Sequence, residues 1–385
     1  MQKDQIILAG WLIDGSGGPI QEKMLIYTAD RLIQKIIKLE SMNQLSENFK
    51  DYSGFTIIPG LIDAHVHLFM SGTKDQKIRQ CQLNAGYEEI KPVISGHLKQ
   101  FQDYGIIAVR DGGDYGGYTA QYINKFSEQL PVYVKAAGKA WRKPDRYGRL
   151  IGRPPDRDQS LDSAILNQRG CDHVKIVNSG LNSLYEFGKQ TKPQFQLEEL
   201  KAGVKAAHEK KLKVMVHCNG KIPVEIAVKA GCDSIEHGFF MGRDNLKLMA
   251  DSNIFWVPTA ITMKAYSEQL PPESLEAEIS RKNYEHQVEQ IAAAGDLGVN
   301  LALGTDSGSL GVFHGKSAAQ ELQILTKAGY SIQKAVKCGT SNGAALLDIE
   351  NTGLVKPGKA ANFLAVQGKP DELIENLKSR RFKKI

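Results

Sequence analysis

From residue 56 to residue 305, short apolar runs alternate with longer stretches of helical period. Runs rich in Val and Ile fall near 56–66, 106–110, 131–137, 173–178, 213–218, 234–237, 254–259 and 301–305, and turn-forming residues follow several of them. Each has the length of a buried strand. The stretches between them repeat apolar residues at helical spacing, most clearly in Leu197 to Lys210, Pro223 to Ala230, Arg281 to Leu297 and Ser317 to Ala328. Strand and helix alternating in this way predict an α/β fold, a (β/α)8 TIM-like barrel. A doubly wound open sheet would alternate similarly, but no Gly-rich phosphate loop follows an early strand.

The two ends of the chain differ from the middle. Ile6-Ile7-Leu8, Met24 to Tyr27 and Leu32 to Ile37 are short β-rich runs, split by Asp14 to Gly18 and by Asp30. Near the other end, Gly353 and Pro357-Gly358 precede the apolar run Phe363-Leu364-Ala365-Val366. Because domain termini usually lie close together, the two ends can pair into one small sheet, and the expectation is a composite β-sandwich domain of 1–55 and 352–385 beside a barrel of 56–351.

Composition narrows the class. Hydrophobic residues make up 42% of the 385 positions and charged residues 24%, ordinary globular values that exclude disordered and fibrous chains. The net charge of +6 is partly accounted for by Lys378, Arg380, Arg381, Lys383 and Lys384 at the C-terminus. No nucleic-acid-binding motif accompanies it, so no nucleic-acid partner is expected. Five scattered cysteines without CxxC spacing fit a reducing, cytoplasmic setting better than a disulfide framework. The apolar run Ile6 to Ile13 lacks a cleavage pattern, and no run reaches membrane-spanning length, so no membrane partner is expected. Self-association into a homo-oligomer stays open.

The candidate chemistry lies at strand ends, where barrels of this kind keep their active sites. Asp63-Ala64-His65-Val66-His67 ends the first strand. Residues two apart on a strand share a face, so His65 and His67 can reach one ion. His217 ends the fifth strand, Glu236-His237-Gly238 the sixth, and Gly304-Thr305-Asp306 the eighth. Val174-Lys175-Ile176 sets a lysine inside an apolar strand, where an ammonium is costly unless neutralised or paired. Each feature alone is common in proteins that bind no metal. Four histidines, an aspartate and a lysine at one rim are not a common coincidence.

These residues, with Pro59 to His67, Asp233 to Gly238, Leu303 to Asp306 and the turn Gly353 to Ala360, resemble the amidohydrolase superfamily. The likeness spans nearly the whole chain in the family's order. It is greatest to the imidazolonepropionase-like and prolidase-like branch, which includes Xaa-Pro and Xaa-Arg dipeptidase-like enzymes. The resemblance implies two divalent metal ions, with zinc expected. His65, His67 and Asp306 would hold one ion, His217 and His237 the other, and a carbamate on Lys175 would bridge them. A carbamate offers two oxygens to cations roughly 3.5–4 Å apart, and a buried lysine has the lowered pKa that carboxylation requires.

The implied reaction is cleavage of a C–N amide bond in a small molecule or short peptide, a dipeptide or N-acyl amino acid. A metal-bridging hydroxide would be the nucleophile, with Asp306 as general base and His237 as the next candidate. A cyclic-amide hydrolase is the alternative. A deaminase is disfavoured because Gly220 stands where such relatives carry Glu, and a non-catalytic barrel because the ligand set is complete. Two segments depart from the family: Ala140 to Arg149 replaces a Gly-Gly-His-type stretch, and Gly180-Leu181 replaces a Gly-Gly pair. The first carries Arg142, Tyr147 and Arg149, candidates for binding substrate, with a guanidinium gripping a carboxylate.

Overall fold

The computed structural model describes residues 5–41 and 48–385, so the parts of the expected first domain at 1–4 and 42–47 lie outside it. The chain begins with β1 (Gln5–Leu12), β2 (Gln21–Ala29), β3 (Leu32–Lys38) and β4 (Phe49–Pro59). At the far end come β14 (Phe363–Gln367) and β15 (Phe382–Lys384), and all six strands join in the order β15-β14-β4-β1-β2-β3. The hydrogen bonds thus run through one continuous mixed sheet, in which segments from both chain ends pair. Its apolar face buries Ile7, Leu12, Ile26, Ile57 and Phe363 in a core of its own.

The expected first barrel strand is divided. Gly60 separates β4 from β5 (Leu61–Val66), and a Cβ there would lie 2.5 Å from Ile107 Cγ2. This close approach lets the chain pass from the terminal sheet into the next layer without a loop.

The parallel strands follow as β6 (Ile106–Asp111), β7 (Tyr133–Ala136), β8 (Ala140–Trp141), β9 (Gly152–Arg153), β10 (Val174–Val177), β11 (Val214–Cys218), β12 (Ser234–His237) and β13 (Phe255–Val257). They fall into two sheets, β5-β6-β7 and β13-β12-β11-β10-β8-β9. A single closed eight-stranded barrel is not formed, and the reason is visible at both seams. Between β7 and β10, the Ala136 N–H donates to the Asp172 carboxylate (2.9 Å), so a side chain stands where a ladder bond would be. Between β13 and β5, residues 301–305 make only an isolated bridge, Trp256 to Leu301. There the Thr305 N–H donates to Asp63 Oδ1 (3.0 Å) and its hydroxyl to Oδ2 (2.6 Å). Isolated backbone bonds still cross this seam, Ala302 to Trp256 at 2.9 Å and Ala64 to Leu303 at 2.8 Å.

The helices match the apolar spacing. Leu197–Glu209, Lys221–Lys229, Leu275–Leu297 and Lys316–Lys327 pack their apolar faces into the large core that encloses the parallel strands. No helix of the described residues is long and apolar enough to cross a membrane.

Candidate metal centre

The six singled-out side chains converge on one cavity of about 210 Å³. His65 lies on β5 and His67 just beyond its end; Lys175 lies on β10, His217 on β11 and His237 at the end of β12. Asp306 follows the 301–305 segment. Both His237 (φ 69°) and Asp306 (φ 57°) sit in the left-handed region, as does Thr259 (φ 45°). Such conformations are costly for residues other than glycine and cluster where function demands a side-chain direction.

Distances define an ion-sized group. Asp306 Oδ1 lies 3.6 Å from His65 Nε2 and 3.5 Å from His67 Nε2, and one ligand atom from each of the three falls within 4.8 Å of the others. The His217 and His237 rings are 4.7 Å apart, and the His65 and His237 rings 4.9 Å.

Each histidine is oriented by its other nitrogen. His65 Nδ1 donates to Glu236 (2.6 Å), His67 Nδ1 to the Gly113 carbonyl (2.9 Å) and His217 Nε2 to the Gly180 carbonyl (3.1 Å). His237 Nδ1 contacts the Thr259 hydroxyl at 2.7 Å. The nitrogens left over are Nε2 of His65, His67 and His237, and Nδ1 of His217. Partners of this type fix the tautomer and raise ligand basicity.

Within this group of six side chains, two buried atoms, His65 Nε2 and Lys175 Nζ, have no hydrogen-bond partner among the described residues. Orphaned buried polar atoms are rare and costly. Together with the carboxylate and the neutral imidazoles around them, they fit a divalent cation bound by nitrogen and oxygen. Burial, and after it the charge of Lys175, lowers His67 and His217 to about 3, and burial also drives His65 and His237 well below the usual histidine range. Neutral imidazole is the form that binds metal. Burial also lowers Lys175 and raises Asp306; a cation at the site would oppose the rise at Asp306.

The supporting layer was only partly visible in the sequence. Arg110, almost wholly buried on β6, donates to Glu236 Oε1 (2.8 Å), to the Ala64 carbonyl (2.8 Å) and to the Ser234 hydroxyl (3.0 Å). Glu236 therefore links Arg110 to His65. A charge inside the apolar run Ile106–Asp111 is the same kind of signal that singled out Lys175, and it could have been read.

The basic loop after β8 divides. Tyr147 lines the cavity, with its ring 5.1 Å from that of His217. Burial, together with Asp306, raises its hydroxyl well above the ordinary tyrosine value. Arg142 and Arg149 do not line the cavity. Arg142 turns back to the carbonyl of Lys143 (2.9 Å), and Arg149 is exposed. The guanidinium that does line it is Arg79, from the helix Gln76–Asn84 after β5. No sequence pattern marks it.

Residues 56–383 match the profile of the amidohydrolase family. The chain belongs to this family. Its members are typically metal-dependent, in keeping with the His65-His67-Asp306 group. Among relatives, the ochratoxinase of Aspergillus niger is 26% identical over 411 residues, covering 97% of this chain and 83% of that protein. An imidazolonepropionase of Porphyromonas gingivalis is 22% identical over 82% of this chain and 76% of its own length. The crystal structure of a Xaa-Pro dipeptidase with bound methionine in the active site superposes with a TM-score of 0.81 at 27% identity, covering 100% of both chains.

Proposed function

We propose that this amidohydrolase-family protein hydrolyses the C–N amide bond of a dipeptide or N-acyl amino acid, using two divalent cations, zinc by preference. The observation that carries the reading is the convergence of six side chains of metal-binding type on one cavity, two of them with buried atoms otherwise unpartnered. His65, His67 and Asp306 would hold one ion, and His217 and His237 the other. Lys175 would lie between them as a carbamate, formed when its neutral amine adds carbon dioxide and releases one proton. When bound, the ions would lower the pKa of a water molecule and polarise the scissile carbonyl.

The chain's own groups supply the rest. Asp306 is placed to take a proton from the attacking water and deliver it to the leaving nitrogen as the C–N bond breaks. Tyr147, whose hydroxyl stays protonated, is a hydrogen-bond donor for the developing oxyanion. Glu236 and Arg110 hold His65 in register. The reading also takes the two parallel sheets as halves of one (β/α)8 barrel, with 301–305 in the eighth strand's place, and the terminal sheet as a composite domain beside it.

The similarity to a Xaa-Pro dipeptidase supports an acyclic substrate. The relation to an imidazolonepropionase supports a second reading, a cyclic-amide hydrolase with the same metal ligands. Metal analysis after purification in zinc and bicarbonate, followed by turnover of dipeptides, N-acyl amino acids, hydantoins and imidazolones, decides between them. Close to two ions per chain with hydrolysis of acyclic amides is the expected result. Full activity with one ion would sink the dinuclear reading, and turnover of cyclic amides alone would favour the second.

A further inference from the structure

Among the described residues, the cavity is lined by no acidic side chain apart from Asp306, and by one cation, Arg79, apart from Lys175. Much of the remaining wall is apolar, including Met70, Leu150, Leu181, Leu184, Phe239 and Met263. Lys175 lies fully buried, among the candidate ligands. Arg79 has a different setting. It is half-buried, and its Nη1 donates to two backbone carbonyls, Ser71 at 2.6 Å and Gly308 at 3.0 Å. Among the described residues no hydrogen bond uses its Nε or Nη2, and no carboxylate forms an ion pair with it. It shares the cavity wall with Tyr266 and Asp306.

A guanidinium drawn partly out of water without a counter-ion is unfavourable unless something else supplies the negative charge. Clamped through one nitrogen, the group presents its remaining donors in a fixed orientation, so little entropy is lost when they are used. We propose that Arg79 grips a free carboxylate on the substrate, and that the site therefore takes amides of amino acids with apolar side chains. The proposal rests on the hydrolase reading above. It also predicts poor use of substrates with cationic side chains, because no lining carboxylate other than Asp306 could neutralise them.

The test uses the full-length, metal-loaded enzyme and a panel of dipeptides and N-acyl amino acids. Each is supplied as the free acid and as the C-terminal methylamide, with apolar, cationic or anionic side chains. Free acids with apolar side chains should exceed their methylamides about 10- to 100-fold in kcat/KM, mostly through KM, the range of a hydrogen-bonded charge. Arg79→Met should collapse that ratio toward one. Arg79→Lys should restore only part of it, since a point charge replaces the fork. Equal use of acids and methylamides by the unsubstituted enzyme would overturn the proposal while leaving the hydrolase reading intact. If Arg79→Met lowered both forms alike, Arg79 would be a clasp between the Ser71 and Gly308 segments and the proposal would fall. No turnover of any amide by enzyme carrying two ions would overturn both.

Discussion

Lys175 is a residue whose surroundings make sense only when something is added to them. It sits in Val-Lys-Ile-Val, all four positions buried, with an amine that meets no acceptor. Replacing a merely structural buried lysine with an apolar residue of similar volume would leave the fold as stable or more so, whereas a bridging carbamate would be lost with it. Lys175→Ala is therefore expected to lose most activity and at least one ion per chain. Short carboxylic acids such as formate or acetate should partly restore both, as read by metal analysis and turnover. Asp306 makes a complementary case. Asp306→Asn keeps the volume but removes the base, so kcat should fall roughly 10²–10⁴-fold with metals retained. Near-normal turnover in that variant would transfer the role to another group, His237 first.

At the scale of elements, the cavity depends on helix ends and seams as much as on strands. The helix Ile261–Gln269 supplies Thr262, Met263 and Tyr266 to the cavity, and its N-cap, Ala260, has no side chain with which to cap it. Glu321, wholly buried on the helix Lys316–Lys327, accepts the N–H groups of Ala260 (2.9 Å) and Ile261 (2.8 Å) instead. Glu321→Ala would leave two buried donors unsatisfied. It should destabilise the fold by about 2–4 kcal/mol in urea unfolding and lower activity by disturbing this wall. Glu321→Gln, which keeps one acceptor oxygen, should cost less. Seven of the eight expected strand segments were legible from apolar runs, because a buried parallel strand is apolar on both faces, whereas 301–305 forms no strand and the two-residue β8 and β9 carry no such run. The seams were not, since the carboxylates of Asp63 and Asp172 replace ladder bonds across distant parts of the chain.

For the whole molecule, the candidate ligands come from β5, β10, β11, β12 and the segment after residue 305, so bound ions would tie these segments together. Removing metal with a chelator should lower the unfolding midpoint, and readding zinc should restore it. At free metal about 1,000-fold above Kd, the linkage contributes about 4 kcal/mol per site. An unfolding midpoint indifferent to chelation would argue against tightly held ions. The convergence of the candidate ligands on one cavity was readable in advance because the two-residue period of a strand dictates which side chains share a face, and a strand's end dictates which rim they reach. His65, His67, Lys175, His217, His237 and Asp306 follow from local pattern and family resemblance. Other features required the fold: which ring nitrogen of each histidine is left free, that Glu236 orients His65 from 171 positions away, and that Asp63 anchors Thr305 from 242. The fold also decided which arginine reaches the cavity, choosing Arg79 over Arg142 and Arg149. Those are contacts between side chains on separate elements, set by how helices and loops pack over the strands, and no periodicity within one segment encodes them.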